Sequence, residues 1–424
     1  MKLSLPRRTI LLQRDFGLAW TGGLVSLLGS WALGIALPIH VYQLTGSAVS
    51  TAGVLAAYVV PGVLLGSVAG VYVDRWNRKT TLVVTNVLLA VGTLPLVLVN
   101  DESRVWLVYP LLFALSCTEQ FTGPAENAFL PRLVKAEDLV GANSLNALNN
   151  SLARLAGPAL GGALYATTGI TGAVLADAAS FALAALLLAL VRASGAVEAA
   201  GDATATAVRR WRRVWREWRE GLDVIRRERA VRVVFAVTAI TAVGEGIFGV
   251  MFVIWVKDVL ERGALELGWL QTCQAIGGLI GGVLGGYVGR RFAPERLFGL
   301  GLLAFGLFDL ALFDYPLLFD GLWIGLGLMI FVGAPGVWSQ AARATILQTH
   351  VADAHRGRVF GSLATSSALM MLAATAIVGA TGDFLGPIAL LNIQGGAYVV
   401  SGLIVLVALA PRRYRVRAAA EEAA

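Results

Sequence analysis

Apolar residues run in long blocks along this chain, separated by short polar or charged stretches. The blocks lie at about 16–40, 51–73, 80–99, 105–130, 142–166, 170–191, 231–256, 266–289, 297–315, 318–345, 357–380 and 386–409. Each comes close to or exceeds the roughly 20 residues a helix needs to cross a bilayer core. In hydrocarbon every backbone polar group must be bonded within its own segment, which long helices achieve. The pattern predicts an all-α integral membrane protein with twelve transmembrane helices.

One connection is much longer than the rest. Residues 192–230 divide the chain into six-helix sets at 1–191 and 231–410, leaving a tail at 411–424. The connection opens with small residues from Ala193 to Ala207, which cannot form a packed core. It then reads as a basic amphipathic helix from Arg209 to Arg229. Trp211, Trp215, Trp218, Leu222 and Ile225 recur at helical spacing, while Arg210, Arg213, Arg216 and Arg227 point elsewhere. Such a helix is expected in the cytoplasmic interface, with Trp at headgroup depth and Arg near phosphate. The two halves also echo each other. Gly62, Gly66 and Gly70 are matched by Gly278, Gly282 and Gly286 at an offset of 216, which also carries Gly141 onto Gly357. A duplicated six-helix unit with a central loop predicts two pseudo-symmetric bundles, the organisation of a secondary transporter.

Charge sets the expected orientation, because Lys and Arg collect on the cytoplasmic side. One side holds Lys2, Arg7, Arg8, Arg14, Arg75, Arg78, Lys79, Arg132, Lys135, the 192–232 connection, Arg290, Arg291, Arg296, Arg356, Arg358 and the tail arginines. The other shows Arg104, Lys257 and Arg262. Both termini are expected in the cytoplasm, with the chain multi-pass in the inner membrane. Composition agrees: 57% of the 424 residues are apolar and 14% charged, and the mean hydropathy is +0.72. That excludes a soluble enzyme, a DNA-binding protein and a disordered chain, since soluble domains carry about a quarter charged residues. The net charge of +7 suits anionic lipid headgroups and not nucleic acid, because the basic residues flank apolar blocks. Cys117 and Cys273 lie inside such blocks and offer neither a disulfide framework nor metal spacing.

Two motifs carry more. Gly70-Val-Tyr-Val-Asp74-Arg75-Trp-Asn77-Arg78-Lys79 joins the second and third spans. It resembles the signature of the major facilitator superfamily, with Asn77 in place of a second glycine; Asn tolerates left-handed dihedrals, so the tight turn is expected to survive. Ala153-Arg-Leu-Ala-Gly157-Pro158-Ala-Leu-Gly161-Gly162 resembles that superfamily's antiporter motif, with Ala153 in place of its leading glycine. Leu44-Thr-Gly-Ser47, Thr122-Gly-Pro-Ala125, Asp177-Ala-Ala-Ser-Phe181 and Arg356-Gly-Arg-Val359 resemble the enterobactin-exporter-like, or transmembrane secretion effector, branch. The resemblance implies the major facilitator fold and a gating latch at Gly70, Asp74, Arg75, Arg78 and Lys79. It implies a proton-exchanging exporter marked by Gly157, Pro158, Gly161 and Gly162, and a cavity lined by spans one, four, seven and ten.

Ionisable groups inside a membrane are expensive and so are functional candidates. Glu119 and Glu126 in span four, Asp177 in span six, Glu245 in span seven and the base Arg154 in span five stand out. At 1.5 Å per residue, Glu119 and Arg154 lie about 22 Å and 18 Å from the ends of their spans. Both depths fall in the middle third of a core roughly 30 Å thick. A Glu119–Arg154 pair is expected there, while Glu126 pairs with Arg132 or Arg343 near the gate. Glu119, Glu245, Asp177 and Arg154 are the proton-coupling candidates. Trp31, Gln120, Phe121, Phe248, Phe252, Trp338 and Gln340 are the cavity candidates, an aromatic wall suited to bulky amphiphilic cargo. No phosphate-binding loop, nucleophile elbow or zinc spacing occurs, so neither ATP hydrolysis, another enzymatic activity, a metal nor a cofactor is expected. The expected function is export of a drug, siderophore or metabolite in exchange for protons, by a chain taken as a monomer. Uptake, facilitated diffusion and lysophospholipid translocation remain open alternatives.

Overall fold

The computed structural model of the protein describes residues 10–196 and 228–409, and the expected amphipathic helix at Arg209 to Arg229 lies almost wholly outside them. Among the described residues all regular elements are helical. The first half comprises α1 (Arg14–Thr45), α2 (Ala48–Val73), α3 (Arg78–Thr93), α4 (Val108–Glu119), α5 (Thr122–Leu133) and α6 (Leu139–Ala189). The second comprises α7 (Arg229–Ile254), α8 (Ala264–Arg291), α9 (Pro294–Asp314), α10 (Leu322–His350), α11 (Asp353–Leu385) and α12 (Pro387–Ala408).

Among the described residues, ten helices are long and apolar enough to cross a membrane. The difference from twelve has two local causes. The 51-residue α6 is divided at Gly169, whose φ of 67° and ψ of −163° are not helical; this falls between the expected spans 142–166 and 170–191. The block at 105–130 is broken into α4 and α5. Pro124 has no N–H to give the Gln120 carbonyl and its ring crowds that position, so the helix stops at Glu119 and restarts at Thr122.

Packing repeats between the halves. Within the first, α6 packs on α1 and α3 and α2 on α4; within the second, α12 packs on α7 and α9 and α8 on α10. The halves meet along two seams, α6 against α8 and α2 against α11. Glycines on α6 and α8 close the first seam. A Cβ at Gly162 would collide with the Ala264 backbone and one at Gly268 with the Pro158 carbonyl oxygen, so only hydrogen permits this approach. On α11, a Cβ at Gly379 or Gly382 would come within 2.9 Å of the Ala52 or Ala48 methyl of α2.

The core is asymmetric along the bundle axis. At the end carrying Tyr42 and Trp255, one buried apolar cluster crosses the halves, uniting Ile39, Tyr42, Ala48 and Ala52 with Phe252, Trp255, Leu267, Leu270, Phe313 and Leu391. At the end carrying the 74–79 loop the clusters stay within a half. Val73, Leu82, Phe129 and Leu188 form one, and Val231, Val234, Leu297, Ile346 and Val359 another. Gly70, Gly282, Gly286 and Gly357 face open space there. Of the repeated run 278–282–286 only Gly278 meets α10, near Val337 and Gly333; the closer packing comes from Gly277 and Gly281, which meet Ile330 and Ala334 of α10.

Candidate functional site

The closed end is held by acids of the second half acting on the first. The last turn of α7 widens, with Leu260 N–H bonding the Trp255 carbonyl, and carries Asp258 to Tyr42, whose hydroxyl donates to the Asp258 carboxylate. The Asp383 carboxylate, near the end of α11, accepts the Ala48 N–H at 3.1 Å. Ala48 opens α2, so the acid sits where the helix dipole favours negative charge. Sequence reasoning misses Tyr42, Asp258 and Asp383 because each falls at the edge of an apolar block.

The antiporter-like motif builds the seam from two stripes of α6. Gly157 and Gly161 admit Trp31 and Ala32 of α1, while Pro158 and Gly162 face α8. Thr272 of α8 donates to the Leu155 carbonyl at 3.0 Å. Arg154 continues the 158–162 stripe by one turn and is exposed where the seam parts. No ion pair joins it to Glu119 among the described residues, against the expected pair. Similar depth along two helices does not bring their side chains to the same side of the axis.

Glu119 instead shares its surroundings with another acid. Asp177 of α6 is 2% exposed and feels the charge of Glu119, as does Tyr58 of α2. Asp177 Oδ1 has no hydrogen-bond partner among the described residues and lies against Gly29 of α1, where a Cβ would sit 2.7 Å from it. Glu119 makes no hydrogen bond among the described residues. Glu126 is exposed; Arg132 bonds the Ser194 carbonyl and Arg343 lies near Glu245, and among the described residues Glu126 forms neither expected ion pair.

In the second half the acids have donors. The Tyr398 hydroxyl donates to Glu245 Oε1 at 2.5 Å, and Gln394 Nε2 donates to Asp309 Oδ2 at 2.6 Å. Asp309 is 2% exposed and shares an electrostatic neighbourhood with Glu245 and Tyr398, to which Arg343 also belongs. Asp309 is absent from the expected candidates although it stands mid-block in span nine; a charge inside an apolar block is the signal that finds it.

The aromatic candidates separate. Phe121 stacks on Trp76 at 5.7 Å and belongs to the first half's own core. Phe248 stacks on Phe252 at 4.5 Å, but Phe252 and Trp255 are buried in the closed end and line no open cavity. Trp338 donates to the Gly281 carbonyl at 2.8 Å, tying α10 to α8. Trp31 and Gln340 are exposed, and Gln120 turns its Oε1 toward Gly62 and Gly66 of α2.

The 74–79 loop is pinned to its own half. Lys79 Nζ donates to the Ala189 and Val191 carbonyls at 2.9 and 2.7 Å, satisfying orphan carbonyls at the end of α6. Asn77 is not left-handed: with φ at −64° its side chain accepts the Thr80 N–H at 3.1 Å and caps α3. Asn replaces glycine here as a capping residue. Asp74 is exposed, at the end where the halves part.

Comparison with known proteins places this architecture. The chain is 26% identical over 408 residues to the uncharacterized MFS-type transporter YfiS of Bacillus subtilis (strain 168), covering 90% of each. It is 24% identical over 415 residues to the enterobactin exporter EntS of Shigella boydii serotype 18, covering 92% of this chain and 91% of that one. To macrolide efflux protein A of Streptococcus pyogenes it is 29% identical over 175 residues, 41% of this chain and 43% of that one. A bacterial homologue of the iron transporter ferroportin in its inward-facing state matches with a TM-score of 0.71 at 18% identity, covering 94% and 99% of the two chains. The outward-facing state of a bacterial ferroportin homologue scores 0.54 at 17% identity, covering 94% and 100%. The Major Facilitator Superfamily matches residues 19–238 and 234–424, so this chain belongs to that family and is a membrane transporter, not an enzyme.

Proposed function

We propose that the protein exports small amphiphilic molecules in exchange for protons, by alternating access. One observation carries this reading: the halves are joined at one end by Tyr42–Asp258, Ala48–Asp383 and a cross-half apolar core, and parted at the other. Lys and Arg flank the parted end, which makes it cytoplasmic, with both termini in the cytoplasm of a monomer crossing the inner membrane twelve times. The higher score against the inward-facing ferroportin homologue supports the same orientation. Export would require the outer contacts to break while Asp74 regains a helix terminus across the gap.

Relatives named for macrolide efflux and enterobactin export support bulky amphiphilic cargo. Trp31, Arg154 and Gln340 are exposed in the structure and are the side chains this reading assigns to meet it. The coupling proton belongs to Glu119 and Asp177, carboxyls inside the spans that, among the described residues, have no hydrogen-bond donor at Glu119 or at Asp177 Oδ1. Tyr398 and Gln394 make Glu245 and Asp309 the fixed counterpart in the second half.

Reconstitution in liposomes with an imposed pH gradient tests this. Amphiphilic dyes, a macrolide and a catecholate siderophore are offered, and accumulation that follows the gradient is the expected result. Movement equal with and without the gradient removes proton exchange and leaves facilitated diffusion.

A further inference from the structure

A cleft with about 80 Å³ of room lies inside the first half, away from the seam between the halves. Its polar lining is Ser26 of α1, Asn86 of α3, Glu126 of α5, and Asn146, Asn149 and Asn150 of α6. Phe16, Trp20 and Phe129 supply an apolar wall.

The direction of the hydrogen bonds decides what this lining can hold. Ser26 gives its hydroxyl proton to the Gly23 carbonyl at 3.1 Å. Asn86 gives an amide proton to the Leu82 carbonyl at 2.8 Å, Asn149 to the Trp20 carbonyl at 2.9 Å and Asn150 to the Asn146 carbonyl at 3.2 Å. Each of these amides keeps a second N–H, and its side-chain oxygen also remains as an acceptor beside the Glu126 carboxylate. Asn149 is 4% exposed and its Oδ1 has no partner among the described residues, a buried acceptor that a native structure normally satisfies. Among the described residues, no Lys, Arg or His lines the cleft.

Charge therefore argues against an anion, since the lining holds the Glu126 carboxylate and, among the described residues, no basic side chain. Drug-sized cargo is excluded by size, since pockets for such ligands run to about 300 Å³ or more. A single carboxylate balances one positive charge, and hard oxygen donors suit a hard cation. We propose that Glu126, Asn149, Asn150, Ser26 and Asn86 form a binding site for a small monovalent cation, with Na⁺ as the reference ion. The site rests on the transporter fold and not on proton coupling.

The test is made on the full chain purified in detergent, at fixed pH and without substrate. Melting temperature is followed while NaCl replaces choline chloride at constant ionic strength, and retention of ²²Na⁺ is measured in parallel. A saturable rise with Na⁺ is expected, and Glu126→Gln should weaken apparent affinity by at least about tenfold, the scale of losing a supporting group at a metal site. Asn150→Ala, at an exposed position, should weaken it less while leaving packing intact. Equal melting in NaCl and choline chloride with no ²²Na⁺ retained overturns the site, as does an unchanged response in Glu126→Gln. If that variant does not fold, ²²Na⁺ retention by the unaltered chain and by Asn150→Ala decides. Because no transport is measured, proton exchange can fail while the site stands.

Discussion

The two halves solve one packing problem with different chemistry. In the first, Asp177 of α6 lies against Gly29 of α1; in the second, Gln394 of α12 lies against Gly244 of α7, where a Cβ would sit 3.1 Å from its Cγ. The geometry is the same, a glycine on the first helix of each half receiving a polar side chain from the last. The difference is hydrogen bonding. Asp177 Oδ1 has no donor among the described residues and a neighbouring acid in Glu119, whereas Gln394 itself supplies the donor to Asp309 and Tyr398 supplies one to Glu245. A duplicated fold thus keeps its shape while one copy supplies its acids with hydrogen-bond donors and the other, among the described residues, does not.

The largest expected effect breaks that contrast at its free side. Asp177→Asn keeps the side chain's volume and loses no donor, so folding should survive while gradient-driven accumulation in liposomes is abolished. Accumulation that persists would return the coupling role to the second half. Next comes Gln394→Leu, which strips Asp309 of its donor in the interior. Leaving a buried acceptor unsatisfied costs about 1–3 kcal/mol, to be read as a lower melting temperature, while Asp177→Asn should show no comparable loss. The smallest effect compares the glycines. An alanine Cβ at Gly29 would stand 2.7 Å from Asp177 Oδ1 and closer still to Ser180 Oγ, whereas at Gly244 the nearest atoms, Gln394 Cγ and the Tyr398 ring, stand 3.1 and 3.2 Å away, so a small shift relieves the contact. Overpacking costs about 1–3 kcal/mol and replacing helical Gly by Ala returns about 1 kcal/mol. Gly29→Ala should therefore destabilise and Gly244→Ala be near neutral, again by thermal unfolding. Equal effects would dissolve the distinction between the halves.

Legibility followed the same division between local and distant causes. The Gly-Pro and paired-glycine spacing at 157–162 marked a helix made for close approach, and the structure shows that approach to α1 and α8. The break of span four also had a local cause, Pro124, set in the polar run Thr118-Glu119-Gln120 and Thr122-Gly123, which a reading by block length passes over. Glu119 and Arg154 share similar depths on residue counting alone, but depth follows from counting along an axis, whereas partnership needs the angle around it. A neighbouring helix sets that angle, and for Arg154 the neighbour is α8.

By itself the sequence determined that this chain is a bundle of membrane helices in two related halves. Hydropathy and small-residue spacing act within one segment, and the bilayer imposes the same demand on every segment. Only the tertiary structure decided that Tyr42 meets Asp258, that Gln394 serves Asp309, and that one end is closed while the other is parted. Those facts depend on side chains from helices far apart in the chain arriving at one place, and a carboxyl finds its donor only when the packing of glycine seams has fixed which faces meet.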